Sequence, residues 1–107
     1  MEKSGDKMEK TLLRKEEIQN KIRLNLTELK KRYPIHQFYL FGSYARDEQT
    51  ESSDIDIMVE LEKPIGLNFV HLALELEALL DKKVDLVSIN GVEKRKFQYI
   101  KEDMIDV

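Results

Sequence analysis

Gly42-Ser43, the pair Asp54 and Asp56, and the single Asp85 are the residues whose types and spacing can do chemistry in this sequence. Carboxylates two residues apart on a strand share a face and sit about 7 Å apart along it. Asp54 and Asp56 are therefore placed to hold a hard divalent cation between them. Magnesium favours carboxylates combined with phosphate oxygens and water. A third carboxylate nearby would be repelled by the first two unless a cation compensated. Asp85 then reads as a ligand of a second metal, or as the base that takes a proton from an attacking hydroxyl.

Gly42 and Ser43 suit the other half of such a site. Glycine permits close backbone approach, and a helix opening at Ser43 would aim free N–H groups at a phosphate. The Ser43 hydroxyl can hydrogen-bond the same group. Arg46, one turn on, is a further charge partner for phosphates, although an arginine in a polar loop is as readily a solvated residue. The expected site is thus Asp54, Asp56 and Asp85 as catalytic and metal-binding groups, with Gly42, Ser43 and Arg46 on the nucleotide. Metal, phosphate cradle and base together describe in-line nucleotidyl transfer with pyrophosphate leaving. A lone Gly-Ser or a lone Asp-x-Asp would carry little weight, since each occurs on ordinary turns and strand ends. The conjunction carries the reading.

The elements that must position these groups follow from periodicity. Leu12, Ile18, Ile22, Leu26 and Leu29 recur at helical spacing from Thr11 to about Lys31, and Pro34 ends that helix. Ile35 to Phe41 reads as a strand covered on both faces. Asp54 to Leu61 alternates, with Ile55, Ile57 and Val59 on one side and Asp54, Asp56 and Met58 on the other. Leu67 to Leu80 carries a stripe of Phe69, Leu72, Ala73, Leu76 and Leu80, widened by Val70 and Leu74, and is expected to be a well-buried helix. Lys83 to Ile89 is a third strand. Phe97, Ile100 and Met104 mark a weaker closing helix. The expectation is an α/β fold with a small mixed three-stranded sheet flanked by helices.

Topology gathers the chemistry. A ten-residue link between Ser43 and Asp54 is most simply closed by an antiparallel pair, which puts Ser43 and both aspartates at one edge. The helix between the second and third strands implies a parallel, right-handed crossover. Asp85, near the start of the third strand, then reaches the same edge. His36 and His71 fall away from it and read as surface residues. Lys94-Arg95-Lys96 reads as a solvated face, Ser53 as a turn residue, and Tyr44 either as a stacking partner for a base or as packing beside the loop.

Bulk properties set outer bounds. A chain of 107 residues holds one domain, expected over residues 11–107, with 1–10 as a frayed extension and Met8 as a second possible start. The formal net charge of −3 argues against a protein that coats nucleic acid. There are no cysteines, which removes thiolate chemistry and suits a reducing cytoplasm. No apolar run approaches the roughly 20 residues of a membrane span.

Gly42-Ser43-Tyr44-Ala45-Arg46, Ser53-Asp54-Ile55-Asp56-Ile57 and Val84-Asp85-Leu86-Val87 closely resemble the minimal nucleotidyltransferases (MNT) of the DNA polymerase β-like superfamily. The resemblance runs from about Ile18 to Val87. It implies that Gly42 and Ser43 bind the triphosphate of ATP, that Asp54 and Asp56 hold Mg²⁺, and that Asp85 is the third carboxylate. It also implies a partner, because such proteins are commonly antitoxins of HEPN-domain toxins and attach AMP to the toxin. Asp47 departs from the family, which often has glycine after the arginine, and this bears on Arg46. The shortness of the chain suggests that a second protein completes the acceptor side. The competing expectations are a binding module that neutralises its partner by contact, and a nucleotidyltransferase acting on small molecules.

Overall fold

The computed structural model describes residues 13–107. Leu12 and the expected frayed extension lie outside the described residues. Helix α1, Lys15–Arg32, opens with the Arg14 backbone N–H donating to Glu17 Oε1 at 2.9 Å. Glu16 and Glu17 in its first turn, and Lys30, Lys31 and Arg32 in its last, each complement the helix dipole. Ile18, Ile22 and Leu29 are buried along one stripe, as their spacing predicts.

Strand β1, Ile35–Phe41, leads directly into a four-residue helix α2, Gly42–Ala45. The sequence places that helix at Ser43; it opens one residue earlier. Strand β2, Ile55–Leu61, pairs antiparallel with β1, and the register sets Phe41 against Asp56. Helix α3, Asn68–Leu80, then crosses to strand β3, Val84–Ser88, which runs parallel to β2. A short 3-10 turn, Ile89–Gly91, leads to helix α4, Lys94–Asp103.

Two expectations need correction. The sheet has four strands, in the order β3-β2-β1-β4, because Ile105–Asp106 adds a short antiparallel strand β4 beside Tyr39 and Leu40. Met104 therefore leaves the closing helix and becomes its C-cap. The α3 stripe is also narrower than expected. Leu72, Leu76 and Leu80 are buried, whereas Val70 and Leu74 are more than half exposed. They sit on the far side of the helix from the sheet, so apolar character there does not translate into burial.

The two faces of the sheet differ. Leu40, Ile55, Ile57 and Val59 join Ile18, Ile22, Leu72 and Leu76 in one core between the sheet and helices α1 and α3. The opposite face carries Phe41, Asp56, Asp85, Met58 and Val87, since residues opposite one another in register share a face. Met58 is fully buried there, outside the main core cluster. Far from Phe41, at the start of β1, Glu75 of α3 accepts from the Tyr33 hydroxyl and pairs with Arg32. This ties α3 to the end of α1.

Candidate active site

The strand register brings the expected carboxylates together. Asp56 lies opposite Asp85 on the neighbouring parallel strand, and Asp54 precedes β2 by one residue. Asp54 and Asp85 are exposed, while Asp56 is partly buried. Burial, and then the charges of Asp85 and Asp54, push the Asp56 carboxyl up from 3.8 to about 6; Arg46 pulls the other way. Asp56 therefore senses both other aspartates, which is the repulsion that two-apart spacing and a parallel crossover imply.

Gly42 meets this group directly. Its φ is +76°, and a β-carbon there would lie 2.2 Å from Asp56 Oδ2 and 3.0 Å from Asp56 Cγ. The close approach that calls for glycine is thus made by a carboxylate of the site itself. The sequence alone points that approach at a phosphate; in the fold it is Asp56 that makes it. Ser43 follows as the next residue of α2, whose first-turn N–H groups have no helical acceptor.

Arg46 caps α2, and its guanidinium is engaged: Nε donates to Glu48 Oε1 at 2.9 Å and Nη1 to Asp103 Oδ2 at 2.7 Å. These two carboxylates raise its pKa further. These bonds use two of its five N–H donors, and among the described residues Nη2 makes no hydrogen bond, so it is the group that can meet a phosphate. Asp47 next to it adopts φ +59°, the left-handed region that glycine enters freely and other residues enter at a cost. That is the physical content of its departure from the family pattern. The Asp47 side chain is held by Lys15 Nζ at 3.0 Å. Ser53 closes the turn before Asp54, its hydroxyl accepting from the Thr50 N–H at 2.9 Å. His36 and His71 are exposed and away from this edge.

Beside Asp85 lies a cavity of about 600 Å³ that local sequence patterns do not encode. The sheet side is Phe41, Asp85 and Val87, and the other wall includes Val92, Lys96 and Ile100. Helix α4 thus stands over the sheet face that carries Asp85. Lys96, read as part of a solvated run, lines the cavity. The spacing of Phe97 and Ile100 predicts the helix. Its placement over Asp85 depends on contacts distant in sequence.

The donor set fits a hard divalent cation: it is anionic, all-oxygen and destabilised by its own repulsion. Among the described residues, no three acidic or histidine side chains are already drawn onto one point. A pair of these carboxylates with phosphate oxygens and water is the set that magnesium prefers.

Comparisons with known proteins agree with this geometry. The family described as Polymerase beta, Nucleotidyltransferase matches residues 16–104. Protein adenylyltransferase MntA of Thermococcus cleftensis is 43% identical over 77 residues, covering 71% of this chain and 78% of that protein. A chain in the crystal structure of a toxin–antitoxin with AMP-PNP superposes with a TM-score of 0.69 at 30% identity, covering 82% of this chain and 70% of that one. A chain in the structure of tri-AMPylated Shewanella oneidensis HEPN toxin with MNT antitoxin gives a TM-score of 0.63 at 26% identity, over 83% and 70%. With its glycine-serine turn, its register-paired aspartates and a family match spanning nearly all the described residues, the chain belongs to the polymerase beta nucleotidyltransferase family.

Proposed function

We propose that this protein is a Mg²⁺-dependent protein adenylyltransferase. It transfers AMP from ATP to a hydroxyl of a partner protein, a HEPN-type toxin, and acts as that toxin's antitoxin. The observation that carries the reading is the register of Asp56 against Asp85, with Asp54 two residues away and Gly42 packed on Asp56. Likeness to an adenylyltransferase and to chains from toxin–antitoxin structures, one with AMP-PNP and one with an AMPylated toxin, supports the donor, the acceptor class and the partner. We take the reaction to be cytoplasmic, where ATP is the abundant donor. Among the described residues no helix is long and apolar enough to cross a membrane.

Each residue takes a definite part. Asp54 and Asp56, with Asp85, would hold magnesium, which would offset phosphate charge and ease departure of the pyrophosphate. Gly42 and Ser43 bind the terminal phosphates through backbone N–H groups and the Ser43 hydroxyl. Arg46 adds positive charge there through the N–H donors that Glu48 and Asp103 do not use. Asp85 takes the proton of the acceptor hydroxyl. The acceptor oxygen forms a bond to the α-phosphorus as the bond from that phosphorus to the pyrophosphate oxygen breaks. The cavity lined by Asp85, Val92 and Lys96 admits the acceptor side chain.

The test is incubation of the chain with its co-purifying partner, Mg²⁺ and radiolabelled ATP. Label on the partner that disappears in Asp54→Asn/Asp56→Asn supports the reading. No label, with toxicity still neutralised by the double variant, would instead make the protein an antitoxin that works by contact. Rapid adenylylation of a small molecule, with no affinity for a companion chain, would refute the protein acceptor.

A further inference from the structure

The chain has four tyrosines, and the fold engages three of them. The Tyr33 hydroxyl donates to Glu75, the Tyr39 hydroxyl donates to Glu60 at 3.1 Å, and Tyr44 is fully buried. Tyr99 differs: it is 73% exposed, and it lines the same cavity as Asp85. An exposed aromatic residue on a surface helix is ordinary. One that shares a cavity with the base of a hydroxyl-modifying site is placed to be modified.

Helix α4 fixes that placement. Lys96, Tyr99 and Ile100 stand at i, i+3 and i+4, so they share one face of the helix, and all three line the cavity with Asp85 and Val87. One turn on, Asp103 accepts from Arg46 Nη1 at 2.7 Å. Arg46 caps α2, the helix that opens with Gly42-Ser43. The element bearing Tyr99 is thereby tied to the turn read above as holding the ATP phosphates. A hydroxyl already held beside the site reacts without the cost of bringing up a second molecule.

We propose that Tyr99 is a second acceptor, and that without its partner the chain adenylylates itself there, within one molecule. The inference rests on the AMP-transfer reading given above. ATP supplies the nucleotide. The Tyr99 Oη forms a bond to the α-phosphorus as the bond from that phosphorus to the pyrophosphate oxygen breaks. Pyrophosphate leaves, and the phenolic proton passes to Asp85. The product is a phosphodiester carried on α4 beside the cavity.

The test is mass spectrometry of the full chain, intact and as tryptic peptides, after incubation with Mg²⁺ and ATP, with and without the co-purifying partner. Without partner, the expected result is a chain carrying AMP on the peptide of residues 97–101, in which Tyr99 has the only side-chain hydroxyl. Tyr99→Phe and Asp54→Asn/Asp56→Asn should each lose that modification. Diluting the chain about tenfold should leave the half-time unchanged, as a reaction within one molecule requires. AMP on a different residue, or a half-time that lengthens on dilution, would overturn the proposal. So would an unmodified chain under conditions that label the partner, and AMP transfer to the partner would then stand alone. If neither protein is labelled, the AMP-transfer reading itself fails, and this inference with it.

Discussion

Gly42 and Asp56 occupy each other's space: the hydrogen on the Gly42 α-carbon, where other residues carry a side chain, faces the Asp56 carboxylate, and a β-carbon there would come within 2.2 Å of Oδ2. The end of β1 and the Asp56 carboxylate on β2 are therefore one packed unit. Gly42→Ala has two costs. It puts a β-carbon at φ +76°, worth about 1–2 kcal/mol, and it displaces Asp56. A melting temperature several degrees lower is expected, together with AMP transfer reduced at least about tenfold. Transfer at the wild-type rate would show that Asp56 can move without consequence.

The raised pKa of Asp56 makes stability depend on pH in an unusual direction for a carboxylate. The folded chain keeps this proton up to about pH 6, whereas the unfolded chain releases it near 3.8. Between those values the folded state binds more protons, so stability falls as pH rises and the loss is complete above the folded pKa. Because the group is only partly buried, about 1–2 kcal/mol is expected after allowing for solvent screening. Melts in EDTA at about pH 4 and pH 7.5 should span most of this drop, and Asp56→Asn should flatten it. An unchanged drop in the variant would assign it to another group.

How much of this was readable in the residues differs from element to element. Ile55, Ile57 and Val59 alternate with Asp54 and Asp56, and a helical stripe separates them from Val84. Strand directions, and the meeting of Asp56 with Asp85, follow from those local patterns. The two-residue β4 has too few positions to alternate, and its pairing is completed by distant groups, such as Gln19 Nε2 donating to the Asp106 carbonyl at 2.6 Å. The exposure of Val70 and Leu74 depends on what packs against α3, which composition does not encode. Arg46 meets Asp103 across 57 positions, so its commitment to that partner was invisible.

That commitment separates two roles for Arg46. If the guanidinium binds phosphate, Arg46→Ala should raise the KM for ATP about tenfold, the worth of one charge-assisted contact. Asp103→Asn should leave that KM unchanged or lower it, because it frees the arginine. A guanidinium that serves only to tie α2 to α4 predicts the reverse pattern. Both variants would then lose the same small stability, the double variant would lose no more, and KM would not move.

Glu75 offers a control at the other end of the sheet. It accepts from the Tyr33 hydroxyl and pairs with Arg32, and burial followed by Glu75 itself raises the Tyr33 pKa. Glu75→Ala leaves the tyrosine hydroxyl without its acceptor and should cost about 1–2 kcal/mol, a melting temperature lower by several degrees. AMP transfer at 25 °C should stay close to wild type, since Asp56 lies at the opposite end of β1. A large loss of transfer in a folded Glu75→Ala would mean that the α1–α3 packing sets the site geometry.

The cavity beside Asp85 decides which substrate α4 serves. Asp85 lines it, together with apolar Val87, Val92 and Ile100 and the cation of Lys96. A base must lie next to the hydroxyl whose proton it takes, so a cavity walled by Asp85 suits the acceptor better than the donor. Val92→Trp would narrow that space from the α4 side without altering Gly42, Ser43, Asp54 or Asp56. AMP transfer to the partner should then fall at least about tenfold, while calorimetric binding of AMP-PNP with Mg²⁺ stays within about twofold of wild type. If nucleotide binding weakens as much as transfer does, the cavity houses the base of ATP, and the acceptor must approach Asp85 from the open side of β3.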